Sequence, residues 1–257
     1  MQGIILAAGK GTRLVPFTDN FPKGMIKLFD KSLIEIQIDN FKKCGIEDIT
    51  IVTGYKSEKI TFSGISYVKN KNFESTNMNA SLFCAKEYLN DLVVISYSDI
   101  FYNKNIIEKL IHSNSDVSVA TRLNWKQHYV GRDLHPQSEA ENVLLQNGKI
   151  LTIRKNVTTK SSNQEIGEFL GLLKLSKKGC EIFLNEYLKL EQTHQGSFFS
   201  SESFKKAYLT DMIQQIINEG YDVEPVIIDE NWCEIDTAQD IENVRKKFNE
   251  QKNKKQS

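Results

Sequence analysis

Two glycines and two cations follow the first apolar run of the chain, in Ala7-Ala8-Gly9-Lys10-Gly11-Thr12-Arg13-Leu14. Glycine lets backbone approach a ligand closely and turn several N–H groups toward one anion, while Lys10 and Arg13 add full charges. Leu14 stands where a dinucleotide fingerprint needs its third glycine, and the Gly-Lys-Ser/Thr of a Walker A loop is missing. By itself the segment reads either as a phosphate cradle or as a plain strand-to-loop turn. A second element favours the cradle: Pro22 stiffens the backbone ahead of Lys23, which makes that lysine a positioned charge. Lys27 alternates with Ile26 and Leu28 and reads as a solvent face.

Together, the GxGxRL loop ending at Leu14, the P-x-T of Pro16 to Thr18 and the PK of Pro22-Lys23 resemble the signature of the nucleotidyltransferase superfamily that activates sugar phosphates and phosphorylated alcohols. The resemblance implies a loop that binds the triphosphate, with Leu6, Ala8, Gly9, Lys10, Gly11, Thr12 and Ser98 at the nucleotide. It also implies that Arg13 and Lys23 are catalytic and stabilise the reacting phosphates. Pyrophosphate departs only if its growing charge is neutralised, and Mg²⁺ held by one or two carboxylates does this. Asp99 follows the apolar run Val93 to Ser98, at the carboxyl edge where open α/β sheets put their ligands. Asp236 follows Trp232-Cys233-Glu234-Ile235, with Asp240 one helical turn later. Either aspartate alone could instead cap a helix. In the resembled superfamily an aspartate after the central strand and another in a late W-x-E-I-D-T segment are metal ligands, which implies Mg²⁺ at Asp99 and Asp236.

Reading a base needs a few fixed hydrogen-bonding groups beside a flat slot. Gly54-Tyr55 and the stretch Thr76 to Ser81 offer them, with Asn77 and Ser81 as the expected contacts, although Asn77 is equally suited to cap a helix. The Asn-Met-x-x-Ser pattern resembles the cytidylyltransferase branch that handles phosphocholine, aminoethylphosphonate and phosphoglutamine, and so implies CTP over UTP or dTTP. The acceptor is then a small anion with a charged or polar head. Arg132, Lys155, Glu168, Tyr208 and Trp232 are its expected contacts, with Tyr129, Glu139, Glu141 and Asp211 nearby in the sequence. Lys155 matches the second active-site lysine of the superfamily. Glu168 is a carboxylate in an otherwise apolar strand, costly to bury and better explained by a cationic ligand group. Residues 125–141, 165–171 and 208–236 most resemble phosphonate and phosphoramidate cytidylyltransferases. That implies CMP transfer to L-glutamine phosphate, giving CDP-L-glutamine for capsule modification, with phosphocholine or 2-aminoethylphosphonate as alternative acceptors.

Positioning these groups requires a frame, and the first half supplies one: short β-branched runs alternate with amphipathic stretches, the pattern of βαβ units. The spacing predicts strands over Gly3 to Ala8, Ile49 to Thr53, Leu92 to Ser96 and Val117 to Thr121. Helices are expected over Leu33 to Phe41, from Asn77 through Tyr88, and over Ile106 to Ile111. After Trp125 the rhythm changes to extended pieces over Asn142 to Leu145, Ile150 to Arg154 and Phe169 to Leu175. Helical spacing returns over Lys177 to Leu190 and Ser203 to Asn218. Strands over Tyr221 to Ile228 and Cys233 to Ile235 precede a last helix, Ala238 to Phe248. The expected fold is α/β: one Rossmann-like nucleotidyltransferase domain over 1–250, with a mostly parallel sheet covered on both faces. A small antiparallel insertion over about 125–175 binds the acceptor, and 251–257 form a flexible tail.

Composition narrows the partners. Among 257 residues, 40% are hydrophobic and 26% charged, and 33 basic side chains balance 33 acidic ones, so whole-chain disorder and bulk nucleic-acid binding are both excluded. The four cysteines are far apart with no CxxC pair, which signals neither a disulfide framework nor a zinc ribbon. With no leader or membrane segment at the N-terminus, the expectation is a cytoplasmic protein whose partners are CTP and the acceptor, and which has room for a homodimer. Two rivals stand: a sugar-1-phosphate nucleotidyltransferase using another triphosphate, and a nucleotide-sensing regulatory subunit.

Overall fold

A computed structural model describes residues 1–15, 18–229 and 231–246. Pro16 and Phe17 of the motif, the end of the expected last helix and the 251–257 tail lie outside the described residues. In chain order the strands are β1 (Gln2–Ala7), β2 (Lys27–Leu28), β3 (Lys31–Ser32), β4 (Asp48–Thr53), β5 (Ser66–Lys69), β6 (Val93–Tyr97) and β7 (Ile100–Tyr102). They continue with β8 (Val117–Arg122), β9 (Glu141–Gln146), β10 (Lys149–Lys155), β11 (Gln164–Leu175), β12 (Val223–Ile227) and β13 (Trp232–Glu234). The helices are α1 (Leu33–Lys43), α2 (Met78–Cys84), α3 (Lys104–Ile111), α4 (Lys177–Thr193) and α5 (Leu209–Asn218), and 238–246 are also helical. Among the described residues no helix is long and apolar enough to cross a membrane.

Nine strands form one sheet in the order β10-β9-β11-β6-β1-β4-β5, with β8 joined to β11 and β12 joined to β8. β1 lies parallel between β4 and β6, and its Leu6 is level with Tyr97, so the glycine loop and the Asp99 turn leave the sheet side by side. The sheet is less parallel than its sequence suggests. The twelve-residue β11 runs antiparallel to β6 through Leu172–Leu175 and to β9 through Gln164–Glu168. One long strand thus serves both parts, and the antiparallel strands continue the main sheet.

Local chemistry fixes the elements that carry the site. Ser32 and Glu35 form a capping box on α1. From that helix the buried Gln37 amide donates to the carbonyls of Tyr97 (3.0 Å) and Ile100 (2.8 Å), clamping the turn that holds Asp99. Because Ser96 meets Gln37 on that face, Tyr97 points to the opposite face of the sheet. The expected helix over 203–218 is interrupted. Extended backbone at Ala207 and Tyr208 separates a 3-10 turn, Phe204–Lys206, from α5, and Asp211 accepts the Tyr208 N–H at 2.9 Å to cap α5. Beside the main core, Leu14, Ile26, Leu28, Leu33, Ile235, Ile241 and Val244 pack together and tie the glycine loop to the Asp236 segment.

Candidate active site

The first cavity, about 180 Å³, opens at the carboxyl end of β1 and β6. Of the residues expected at the nucleotide, Leu6, Ala8, Gly9, Gly11, Asn77, Ser81 and Ser98 line it, together with Lys23 and Asp99. Gly11 has φ +65°, and a Cβ there would stand 2.8 Å from Lys23 Cβ, so the turn and the close approach both require glycine. Asn77 also caps α2, accepting the Met78 N–H at 2.9 Å. Lys10 turns away to Glu74 (2.6 Å), and Thr12 is exposed. Gly54 and Tyr55 stand behind the loop: the Tyr55 N–H donates to Ala8 O at 3.0 Å, and a Cβ on Gly54 would sit 2.6 Å from that same oxygen. Phe73, Thr76, Met78 and Tyr97 complete the wall, and Phe73, in a loop with no motif, carries no sequence signal.

Beside this cavity a charged cluster forms. Lys23 Nζ lies 2.6 Å from Asp99 Oδ2 and also pairs with Asp236 Oδ1. Arg13 Nη2 and His135 Nδ1 each lie 2.8 Å from Asp236 Oδ2. The ribbon of β7 with β13 brings the two aspartates together, Glu234 facing Ile100, and the Ile235 N–H donates to Asp99 O at 2.9 Å. Thr237 and Asp240 supply the cap at the start of 238–246, which leaves the Asp236 carboxylate to the cluster. Burial works against the Asp236 charge, yet His135, Lys23 and Arg13 hold its pKa well below the usual carboxylate range. Burial likewise opposes the Lys23 charge, and Asp99 and Asp236 outweigh it, so the pKa of Lys23 rises. Glu234 goes the other way: burial and the charges of Asp236 and Asp99 push its pKa well up. Asp99 Oδ1 and Asp236 Oδ2 are buried and accept no aligned hydrogen bond. The partnerless Asp99 oxygen, with the Asp236 oxygen held only by charge contacts, fits a hard divalent cation such as Mg²⁺.

A second cavity, about 30 Å³, shares Tyr97 with the first. Its walls are acidic and aromatic: Glu139, Glu141, Glu168 and Glu234 with Tyr129, Phe169 and Trp232. Glu168, only 3% exposed, accepts the Tyr129 hydroxyl on one oxygen, while its Oε2 has no partner. Glu141 accepts from Thr210 at 2.7 Å. Burial raises the pKa of each of these two carboxylates to about 7.

The other residues expected at the acceptor are placed unequally. Trp232 lines this cavity and donates from its indole to Leu170 O at 2.9 Å. Lys155 pairs with Glu139 (2.7 Å) and lies 5.8 Å over the Tyr208 ring. Arg132 forks onto Asp240 (2.7 and 3.0 Å), and Asp240 in turn accepts the Asp236 and Thr237 N–H groups, so Arg132 braces the Asp236 turn. It faces a larger cavity, about 590 Å³, that shares Trp232 and Glu234 with the acidic one. His135, beside the Asp236 carboxylate, belongs to no motif, since it comes from an irregular segment whose position depends on the fold.

Residues 3–159 match the MobA-like NTP transferase domain family. The chain is 30% identical to a CTP:phosphoglutamine cytidylyltransferase of Campylobacter jejuni, over 94% of this chain and 98% of that one. It is 38% identical to a choline-phosphate cytidylyltransferase of Streptococcus pneumoniae, over 46% of this chain and 53% of the other. Among solved structures, a CTP:phosphocholine cytidylyltransferase from S. pneumoniae shares the fold with a TM-score of 0.70 at 22% identity, covering 96% of this chain and 98% of that one. An inositol-1-phosphate CTP transferase from T. maritima does so at 0.71 and 19%, covering 95% and 93%. The chain belongs to the MobA-like NTP transferase domain family and is a nucleotidyltransferase.

Proposed function

We propose that the chain transfers CMP from CTP to a small phosphorylated or phosphonate acceptor bearing an ammonium group, releasing pyrophosphate. L-Glutamine phosphate is the leading acceptor, giving CDP-L-glutamine for modification of a cell-surface polysaccharide. One observation carries the reading: a glycine-loop cavity and an acidic, aromatic cavity meet at Tyr97, beside Lys23, Asp99 and Asp236. The likeness to the C. jejuni enzyme across nearly the whole chain supports the choice of nucleotide and acceptor.

In this reading an acceptor oxygen attacks the α-phosphorus of CTP in line, the bond to the bridging oxygen breaks, and pyrophosphate leaves. The acceptor is an anion near neutral pH, so no side chain has to remove a proton. The backbone of Gly9 and Gly11 cradles the phosphates, Asn77 and Ser81 read the cytosine edge, and Arg13 and Lys23 hold the charge that builds at the phosphorus. Asp99 and Asp236 would hold Mg²⁺, which when bound neutralises the departing pyrophosphate. Lys155 meets the acceptor's phosphate, while Glu141 and Glu168 hold its ammonium between the rings of Tyr129 and Trp232.

Phosphocholine is the second reading, favoured by those rings, since aromatic faces attract a quaternary ammonium. Against it stands Glu168 Oε2: a buried, partnerless acceptor calls for an N–H donor, and a trimethylammonium has none. The test pairs each of four nucleoside triphosphates with L-glutamine phosphate and Mg²⁺, follows pyrophosphate, and weighs the product. A CDP-linked product formed from CTP alone is expected. Efficient turnover of UTP or dTTP with glucose 1-phosphate, or CTP binding without release in any pairing, would contradict the reading.

A further inference from the structure

The orphaned atoms around Asp236 extend past the two aspartates to a histidine. His135 is 2% exposed, with Nδ1 at 2.8 Å from Asp236 Oδ2 and Nε2 at 3.6 Å from Glu234 Oε2. His135 Nδ1 and Asp236 Oδ2 touch without an aligned hydrogen bond, and the same oxygen is also in contact with Arg13 Nη2 at 2.8 Å. Ligating atoms of His135, Glu234 and Asp236 all lie within 4.8 Å of one another. Leaving a buried ring nitrogen without an aligned partner is expensive, and a cation contacting both it and the Asp236 carboxylate removes the expense. The spacing suits that arrangement, because two ligands at right angles on bonds of about 2.1 Å stand about 3 Å apart.

We propose that His135 Nδ1 is a ligand of the cation held by Asp236, so that the metal centre is a mixed nitrogen and oxygen site with Glu234 orienting the imidazole. This rests on the assignment of Asp99 and Asp236 as metal carboxylates. Metal-bound histidines commonly donate their second N–H to a carboxylate, and Glu234 Oε2 stands 3.6 Å from His135 Nε2, on that side of the ring. Imidazole nitrogen suits Mn²⁺ and the later divalent metals better than Mg²⁺, so the protein binds Mn²⁺ more tightly than Mg²⁺. Arg13, 52% exposed, contacts the same Asp236 oxygen, so an ion bound there would compete with the guanidinium for it.

Mn²⁺ is titrated into the full chain and followed by electron paramagnetic resonance, with electron spin-echo modulation to detect a ligated nitrogen. The unaltered protein is expected to show a ¹⁴N coupling. His135→Ala loses it and binds Mn²⁺ about tenfold more weakly, with a smaller change for Mg²⁺ measured by competition. Bound Mn²⁺ without nitrogen coupling in the unaltered protein, lost in Asp236→Asn, overturns the histidine ligand while leaving the carboxylates in place. Mn²⁺ that fails to bind with or without CTP, or that binds Asp236→Asn unchanged, overturns the carboxylate assignment and this inference with it. The reading in the unaltered protein needs no variant to fold, and thermal melting monitors the variants.

Discussion

The two cavities that meet at Tyr97 are built from different materials. On the proposed nucleotide side most of the wall is backbone and small side chains, Leu6, Ala8, Gly9, Gly11, Ser81 and Ser98, closed by Phe73, Met78 and Tyr97, with a charged cluster at its mouth. On the acceptor side it is large ionisable and aromatic groups gathered from separate strands, Glu141 on β9, Glu168 on β11 and Glu234 on β13. Phosphates ask only for N–H groups and positive charge, which a short loop can supply. A head group has to be told from other head groups, and under the proposed function buried carboxylates short of hydrogen-bond donors favour a cationic one. Under the proposed function the comparison gives a division of labour, with rate set on the nucleotide side and choice on the acceptor side.

Removing charge on the nucleotide side should break rate while sparing choice. Asp99→Asn is expected to lower metal-supported turnover by about 10³-fold or more, and steady-state rates across a Mg²⁺ titration would show it. Lys23→Ala should lower kcat by about 10² to 10³-fold. It should also melt earlier in the presence of a chelator, because Asp99 and Asp236 are left facing each other, and Mg²⁺ should restore much of the lost melting temperature.

Smaller changes sharpen the acceptor side. Glu168→Gln should raise the acceptor KM by about 10 to 100-fold with KM for CTP and saturated kcat nearly unchanged, the pattern of a lost charged contact. Acidity should imitate it. With pKa values raised to about 7, Glu141 and Glu168 are ionised above that pH and neutral below it, so attraction for an ammonium is present at pH 8 and lost as pH falls through 7. Between pH 8 and 6 the ionised fraction of one such group drops about tenfold, and the acceptor KM should rise accordingly. A flatter profile in Glu168→Gln would locate the effect.

The same contrast decides what the sequence reveals. The glycine loop, Lys23 and the strand-end Asp99 are legible because their chemistry is local: a turn, a proline, the end of an apolar run. Glu168 is legible as an anomaly, a charge among Ile166, Phe169 and Leu170. Phe73 and His135 are not, since each is brought to the site by packing that no short spacing encodes. Arg132 illustrates the limit, for its partner Asp240 lies 108 residues away, and that fork makes it a brace of the Asp236 turn. Helical periodicity over 203–218 overshoots because the Asp211 cap and the bond from Asn79 N–H to Ala207 O hold 207–208 extended, a long-range contact overriding a local pattern. The antiparallel strands are underestimated for a similar reason: nothing in the length of one strand says that both halves of the sheet share it.

One measurement tests the division of labour most directly. Pyrophosphate release with CTP and Mg²⁺ is timed for L-glutamine phosphate, 2-aminoethylphosphonate, phosphocholine and glucose 1-phosphate, in the unaltered protein and in Glu168→Gln. The account predicts that acceptors bearing an N–H ammonium have the highest kcat/KM, and that their lead over glucose 1-phosphate shrinks by about tenfold or more in the variant. Glucose 1-phosphate as the best substrate, with a ranking unmoved by Glu168→Gln, would contradict it.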